Sequence, residues 1–302
     1  DDFELNTVLD KDAGERFIND FTSISAKYDI ENLKVIIGDY NLSFGLGNVY
    51  DQSFLSLKNT DFINTSTEYG YGAEMNRSTL ENNFFRGIYS ELYLSSNLRL
   101  SSFYSNFDRA ATLNEETNIV SSIYNSGYYR TETEIQKIGT LNEQLSGANI
   151  EFNLDEFSIG LLTTYLDYSN EINSSSNSTF FGKNGFLNSI YGAYNTDKES
   201  LKFEIGTDAR NYISLRTNYL KKLSDNISFL TDLRYADPDY RAPYASNFGE
   251  QSFVANEMGV LTGLIYNEKK LYLSLFTDFY STKRNTFSTN QPVRGIQLFT
   301  DL

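Results

Sequence analysis

The chain contains no cysteine, no histidine and no tryptophan, and only 3 prolines among its 302 residues. Each absence removes chemistry. Without cysteine there is no disulfide framework, no thiolate metal site and no cysteine nucleophile. Without histidine there is no Ser-His-Asp triad and no imidazole metal ligand. Lysine and arginine are outnumbered 25 to 40 by aspartate and glutamate, a net charge of -15. That balance argues against general binding to phosphate backbones, which needs clustered basic side chains. No run of about 18 apolar residues occurs, so no transmembrane helix is expected. No charged and apolar signal region precedes Asp1, so any signal peptide has been removed or lies outside this sequence.

What is present is aromatic and alternating. There are 23 tyrosines and 23 phenylalanines, a composition that favours strands. Period-2 alternation dominates and helical periodicity is nearly absent. Thirteen strand-like segments are read, near 17–30, 33–45, 85–95, 97–107, 147–155, 157–168, 187–196, 200–209, 211–221, 226–236, 257–267, 270–281 and 294–302. At roughly 9 to 12 residues they have the length that a tilted strand needs to cross a bilayer.

The links between them alternate. Tight links fall at "DIEN", "SSN", "DE", "TDKES", "KKLSDN" and "NEKK", and long ones at 46–83, 108–146, 170–186, 237–256 and 282–293. The short link at 209–211 is the one break. Short turns on one side and long loops on the other are the habit of outer-membrane barrels.

The alternating sets separate by charge. Leu201, Phe203, Ile205 and Thr207 oppose Lys202, Glu204, Gly206 and Asp208; Leu271, Leu273, Leu275, Thr277 and Phe279 oppose Ser274 and Asp278. The apolar sets carry no charge and often end in Tyr or Phe, as interfacial girdles do. In "IIGDYNLSFGLG" (36–47), Ile36, Gly38, Tyr40, Leu42 and Phe44 form one set and Ile37, Asp39, Asn41 and Ser43 the other. This places Asp39 on the polar, lumen-facing side. A soluble antiparallel sheet with a core face and a water face makes the same alternation. Link asymmetry, strand length and aromatic strand ends favour the membrane barrel.

Registers inferred from the turns put Glu204 opposite Arg216, with Asp232 on the next strand near Arg216. They put Tyr93 opposite Arg99, with Glu91 diagonal to it. Opposite charges in such positions contribute from a few tenths up to about 1 kcal/mol each. The lumen-facing polar candidates are therefore Asp39, Glu91, Arg99, Glu204, Arg216, Asp232 and Arg234. They either line a conduction or substrate path, as charge rings do in pores, or form a static ion network in a closed interior.

Other candidate chemistry is weaker. In "ADPDYRAP" (236–243), Asp237 and Asp239 flank Pro238. Two loop carboxylates begin a Ca²⁺ site, which takes six to eight oxygens, but a solvated turn is the commoner use. Asp12 with Glu15, and Glu132 with Glu134, are carboxylate pairs of the kind that glycosidases use, without spacing that makes them converge. No motif marks a catalytic nucleophile, and no cofactor is expected. The loops 46–83 and 108–146 are too long to be mere connections. Aromatic-polar stretches such as "NTSTEYGYGAEM" suit sugar or protein contacts, though packing over a barrel mouth is commoner.

One resemblance stands on particular residues. Lys11-Asp12-Ala13-Gly14-Glu15, Gly38-Asp39-Tyr40, Phe44-Gly45, and Ser78 through Glu81 to Phe84-Phe85-Arg86-Gly87 occur in that order. The stretch resembles the large outer-membrane barrel proteins of the Bacteroidota lineage that carry an N-terminal helix-hairpin-helix domain; "APYASNFGEQSF" with "NEMG" (242–259) is similar more loosely. Its specific part covers about the first third of the chain. The resemblance implies a barrel in the outer membrane. It departs after Phe44-Gly45, where the group usually has Gln and then Gly-Leu and this chain has Leu46, Gly47 and Asn48. The helix-hairpin-helix domain is absent from this segment, so no nucleic-acid partner is expected here.

The expectation is thus an all-β chain: a transmembrane antiparallel up-and-down β-barrel, one domain over 1–302, with about 12–14 strands in this chain. Thirteen is odd, whereas single-chain bacterial barrels usually close with an even number, so either one strand is miscounted or the chain is part of a larger barrel. The expected role is a non-enzymatic channel, transporter or translocation conduit in the bacterial outer membrane, in contact with its lipid. The first alternative is a structural or docking subunit with a plugged lumen and envelope-protein partners. The second is a secreted soluble β-sandwich adhesin.

Overall fold

A computed structural model of the chain describes residues 2–14, 21–52, 69–176, 178–246, 248–269, 271–286 and 289–301. Glu15 of the resembling stretch and residues 17–20 of the first predicted strand lie outside the described residues. The chain is an antiparallel up-and-down sheet of 17 strands among the described residues, with a single helical turn. The strands divide into two compact units.

The first unit holds β1 (Asp2–Asp10), β2 (Phe21–Ile30), β3 (Leu33–Ser43), β4 (Gly72–Met75), β5 (Phe85–Ser95), β6 (Leu98–Arg109), β7 (Ala111–Asn114), β8 (Ile119–Ile123) and the turn of helix α1 (Glu132–Ile135). Strands β9 (Leu141–Leu154), β10 (Phe157–Ile172) and β11 (Gly182–Asn195) contribute residues to both units. The second unit continues with β12 (Glu199–Thr207), β13 (Ile213–Lys222), β14 (Ile227–Ala236), β15 (Glu257–Glu268), β16 (Leu271–Ser281) and β17 (Arg294–Asp301).

All thirteen predicted strands are present, as β2, β3, β5, β6 and β9 to β17. Four more raise the count to 17: β1, and the short β4, β7 and β8 inside stretches read as long loops. Six tight turns, from Glu31-Asn32 to Lys269, alternate along the chain with longer links. Among the latter only 208–212 is short, because Oδ1 of Asp208 accepts the backbone N–H of Arg210 and of Tyr212, both at 2.9 Å, and closes a tight turn. Asn211 sits in it at φ 64°, a conformation that asparagine tolerates.

Exposure along the strands is inverted relative to a soluble sheet. In the second unit the exposed set includes Ile205 at 44%, Leu233 at 47%, Leu264 at 49% and Leu275 at 51%, while Glu204, Asp232, Arg234 and Asp278 are exposed by 1%, 0%, 5% and 0%. In the first unit Ile24, Ile37, Ile88 and Leu94 are exposed and Ser23, Ser25 and Glu91 are buried. A β-sandwich buries the uncharged set instead, so the adhesin reading loses its basis.

The stretch 36–44 corrects its own reading by parity. Ile36, Tyr40, Leu42 and Phe44 are buried, whereas Ile37 is 58% exposed. Asp39 is in register with Arg86 and Ile37 with Ile88. Directly opposite residues share a face, so Asp39 shares the side of Ile37, where it is buried at the strand end under its pair with Arg86. Tyr40, Phe85, Tyr89 and Phe103 pack on the buried face with ring centroids 6.0 to 6.4 Å apart, so an apolar set is not automatically a lipid-facing one.

Candidate functional site

Strands β12 to β16 bring their polar sets together on one buried face. Register places Glu204 opposite Arg216 and Asn218 opposite Asp232. Arg216 then pairs with Asp232 at 3.1 Å, and Nδ2 of Asn218 donates to the same carboxylate at 3.3 Å. Arg234 is held on three sides. Its Nη1 and Nη2 donate to the two oxygens of Asp278, each at 2.9 Å, and its Nε donates to Glu257 at 2.6 Å. Such bidentate pairing fixes a guanidinium in orientation as well as in charge.

Two guanidiniums, Arg216 and Arg234, thus face four carboxylates: Glu204, Asp232, Glu257 and Asp278. The excess acid takes backbone N–H groups from two segments of the same unit. Glu204 accepts from Leu46 N at 2.6 Å, Asn48 N at 3.0 Å and Ser189 Oγ at 2.6 Å. Glu257 accepts from Glu250 N at 2.9 Å. Nη1 of Arg216 donates to the Leu46 carbonyl at 3.1 Å. The expected Glu204–Arg216 pair is therefore bridged by the backbone of Leu46. Buried charges persist only with such complete pairing.

The two segments also hold each other. Ser246 N donates to Gly47 O at 3.1 Å, Asp51 N donates to Tyr244 O at 2.9 Å, and the Tyr240 hydroxyl donates to Asn48 O at 2.6 Å. Tyr50 and Tyr244 stack at 5.9 Å with an 11° interplanar angle. Gly47 has φ +84°, and a Cβ there would stand 2.1 Å from the Ser246 carbonyl oxygen, so glycine is required. Phe248 inserts among Leu230, Leu261, Ile265 and Phe276, under the Arg234 guanidinium at 5.1 Å. A cavity beside Arg234 and Phe248 measures about 20 Å³, room for about one water.

In the first unit the buried polar residues are arranged differently. Glu91 accepts from the hydroxyls of Tyr89 at 2.6 Å and Tyr93 at 3.1 Å, with Arg99 at 3.6 Å. Tyr93 and Arg99 are opposite in register. Arg109 and Glu143, both buried, pair at 2.9 Å, and Arg109 also donates to the carbonyls of Asn82 and Phe84. Asp39 takes a bidentate pair from Arg86 at 2.7 and 2.8 Å.

Of the loop carboxylates, Asp237 accepts from the Tyr235 hydroxyl at 2.5 Å and Ile213 N at 2.9 Å. Asp239 accepts from Arg284 Nη1 at 2.6 Å. Among the described residues no three Asp or Glu side chains converge as a metal-binding group. Burial raises the Asp208 carboxyl above its usual range, against the pull of its three N–H donors. Glu134 is lowered to about 2, because its carboxylate accepts the N–H groups of Thr131 and Arg130 in a capping box at α1.

Sequence reading missed Glu257, Asp278, Asn218 and the segment Phe44–Gln52 as members of this network. Asp278 had a signal, being the charged member of an otherwise uncharged strand pattern. The 44–52 segment had one in its paired glycines, Gly45 and Gly47, at φ +60° and +84°.

No family model matches the chain, and no curated protein does. Solved structures similar to it include Pseudomonas aeruginosa OccK11 (OpdR), at 11% identity over 86% of this chain and 64% of that chain, TM-score 0.45. P. aeruginosa OpdQ is similar at 12% identity over 90% and 66%, TM-score 0.46. A BenF-like porin from Pseudomonas fluorescens Pf-5 is similar at 9% identity over 93% and 73%, TM-score 0.42. The chain spans about two thirds of the length of the first two, 64% and 66%.

Proposed function

We propose that this chain is an integral β-barrel protein of the bacterial outer membrane that serves as a non-enzymatic channel, transporter or translocation conduit. In this reading its polar lining is held shut by the chain's own segments. One observation carries it: strand after strand exposes an uncharged apolar side and buries a charged one. Exposed contiguous apolar surface on this scale is unstable in water, and lipid is the solvent that it fits. The lipid of the membrane is thus the first expected partner. Placement among the Bacteroidota-type barrels with a helix-hairpin-helix domain rests on the resembling motifs alone.

The filled polar face of the second unit favours a second reading, a plugged structural or docking subunit of an envelope complex. Single-channel recording in planar bilayers separates the two. A conduit shows rare, brief openings in the native protein and frequent ones in Gly47→Ala, which disturbs the seat of segment 44–52. A plugged scaffold shows none in either, and co-purifies with a stoichiometric partner. Extraction from membranes without detergent contradicts both.

A further inference from the structure

The first unit carries a cavity of about 460 Å³ at the long-link ends of β2, β5 and β6, lined by Phe21, Glu81, Arg86, Asn106, Asp108 and Tyr129 among others. We infer that it is a binding site for a neutral sugar, one or two rings in size. Three of its polar groups, Arg86, Asn106 and Asp108, are pinned and yet keep an unused edge among the described residues. Arg86 is fixed by Nε and Nη2 on Asp39, with Nη2 also on the Thr22 carbonyl at 3.2 Å. Its Nη1 has no partner among the described residues, and the side chain is 46% exposed. One amide, Nδ2 of Asn142, donates at 2.7 Å both to Asn106 Oδ1 and to Asp108 Oδ1. This leaves Nδ2 of Asn106 as a donor and Oδ2 of Asp108 as an acceptor. Donors and acceptors set side by side at fixed positions, beside aromatic walls, match vicinal hydroxyls.

Other ligand classes fit less well. The positive charge of Arg86 is neutralised by Asp39, and Glu81 and Asp108 repel an anion such as phosphate. An organic cation needs open ring faces. Here the Arg86 guanidinium already lies 5.4 Å from the centroid of Phe84 and 5.2 Å from that of Phe107, and Arg109 lies 4.8 Å from Phe107. Phe21, packed on Phe84 at 5.8 Å, and Tyr129 complete the lining. The volume is within the ordinary range of small-molecule pockets, about 300–1,000 Å³.

The sugar arrives either free or as the headgroup of a glycolipid, since Arg86 shares with Ile88, two residues on, the lipid-facing side of β5. The test uses the full chain in detergent, titrated by calorimetry and saturation-transfer NMR with maltose and diacetylchitobiose, and in parallel with vesicles with and without a glycolipid. Binding in either arm that weakens about tenfold or more in Asn106→Ala and in Asp108→Ala, one or two hydrogen bonds' worth, supports the site. Free disaccharide binding identifies a soluble ligand, and binding only to glycolipid vesicles identifies a headgroup. Both side chains are exposed, so the variants should fold, and an unchanged heat-induced shift on gels checks this. Sugar binding unchanged in both variants, no binding in either arm, or preference for inorganic phosphate or choline overturns the inference.

Discussion

The buried faces of the two units solve one problem with different chemistry. In the second unit, four carboxylates and two guanidiniums are closed off by backbone N–H groups of inward segments. In the first, one buried ion pair, Arg109–Glu143, is closed by the carbonyls of Asn82 and Phe84, and Glu91 is satisfied mainly by tyrosine hydroxyls within a stack of rings. Away from the strand ends, where Asp39 pairs with Arg86, their exposed sides are by contrast alike: aliphatic and aromatic. There the outer side answers to one solvent and so looks the same in both. The buried side answers to whatever each strand meets there, and that is where the two units diverge.

The sharpest way to test this difference is to remove one guanidinium from each face. Arg234→Leu leaves Asp278 and Glu257 buried without their counter-charge, an expected loss of about 3–5 kcal/mol. Arg99→Leu leaves Glu91 its two hydroxyl donors, and the expected loss is nearer 1 kcal/mol. Unfolding of the detergent-solubilised protein, followed in urea, reads both, and equal losses would erase the distinction drawn between the faces. Next in size, Gly47→Ala forces a Cβ against the Ser246 carbonyl at a left-handed position, for about 1–3 kcal/mol of strain. Hydrogen exchange at Leu46 and Asn48 should quicken there while the first unit stays protected.

The smallest effect lies outside both faces. Glu134 is lowered from 4.5 to about 2 by the N–H groups it accepts. A depressed carboxylate stabilises the α1 cap above its unfolded value, and that contribution fades as pH falls from about 4.5 toward 2. Backbone NMR shifts of Thr131 and Glu134 should move over that window. In Glu134→Gln they should be flat.

The strands were legible because period-2 alternation survives any choice of solvent. The turns were legible because Asp, Asn, Ser and Lys mark them. Strand β1 carries the same alternation, with Phe3, Leu5 and Leu9 exposed on one side, though it lies outside the thirteen expected segments. Strands β4, β7 and β8, four or five residues long, are too short for any periodicity to show. Parity separated faces correctly along β12 to β16, where one side is charged. At β3 both sides carry apolar residues, and an aromatic stack rather than charge fills the buried face. The inserted segments were out of reach for another reason. A backbone N–H seeking a carboxylate 158 residues away, as Leu46 does with Glu204, leaves no trace in local sequence.

The account depends on hydrocarbon meeting the exposed set, and the chain offers a clean reporter because it has no tryptophan of its own. Leu275→Trp places a single indole at mid-strand on that side, and the protein is reconstituted into vesicles with brominated acyl chains. The account predicts blue-shifted emission, strong quenching by the brominated lipid and indifference to aqueous acrylamide. Red-shifted emission that acrylamide quenches and the brominated chains leave untouched would contradict it.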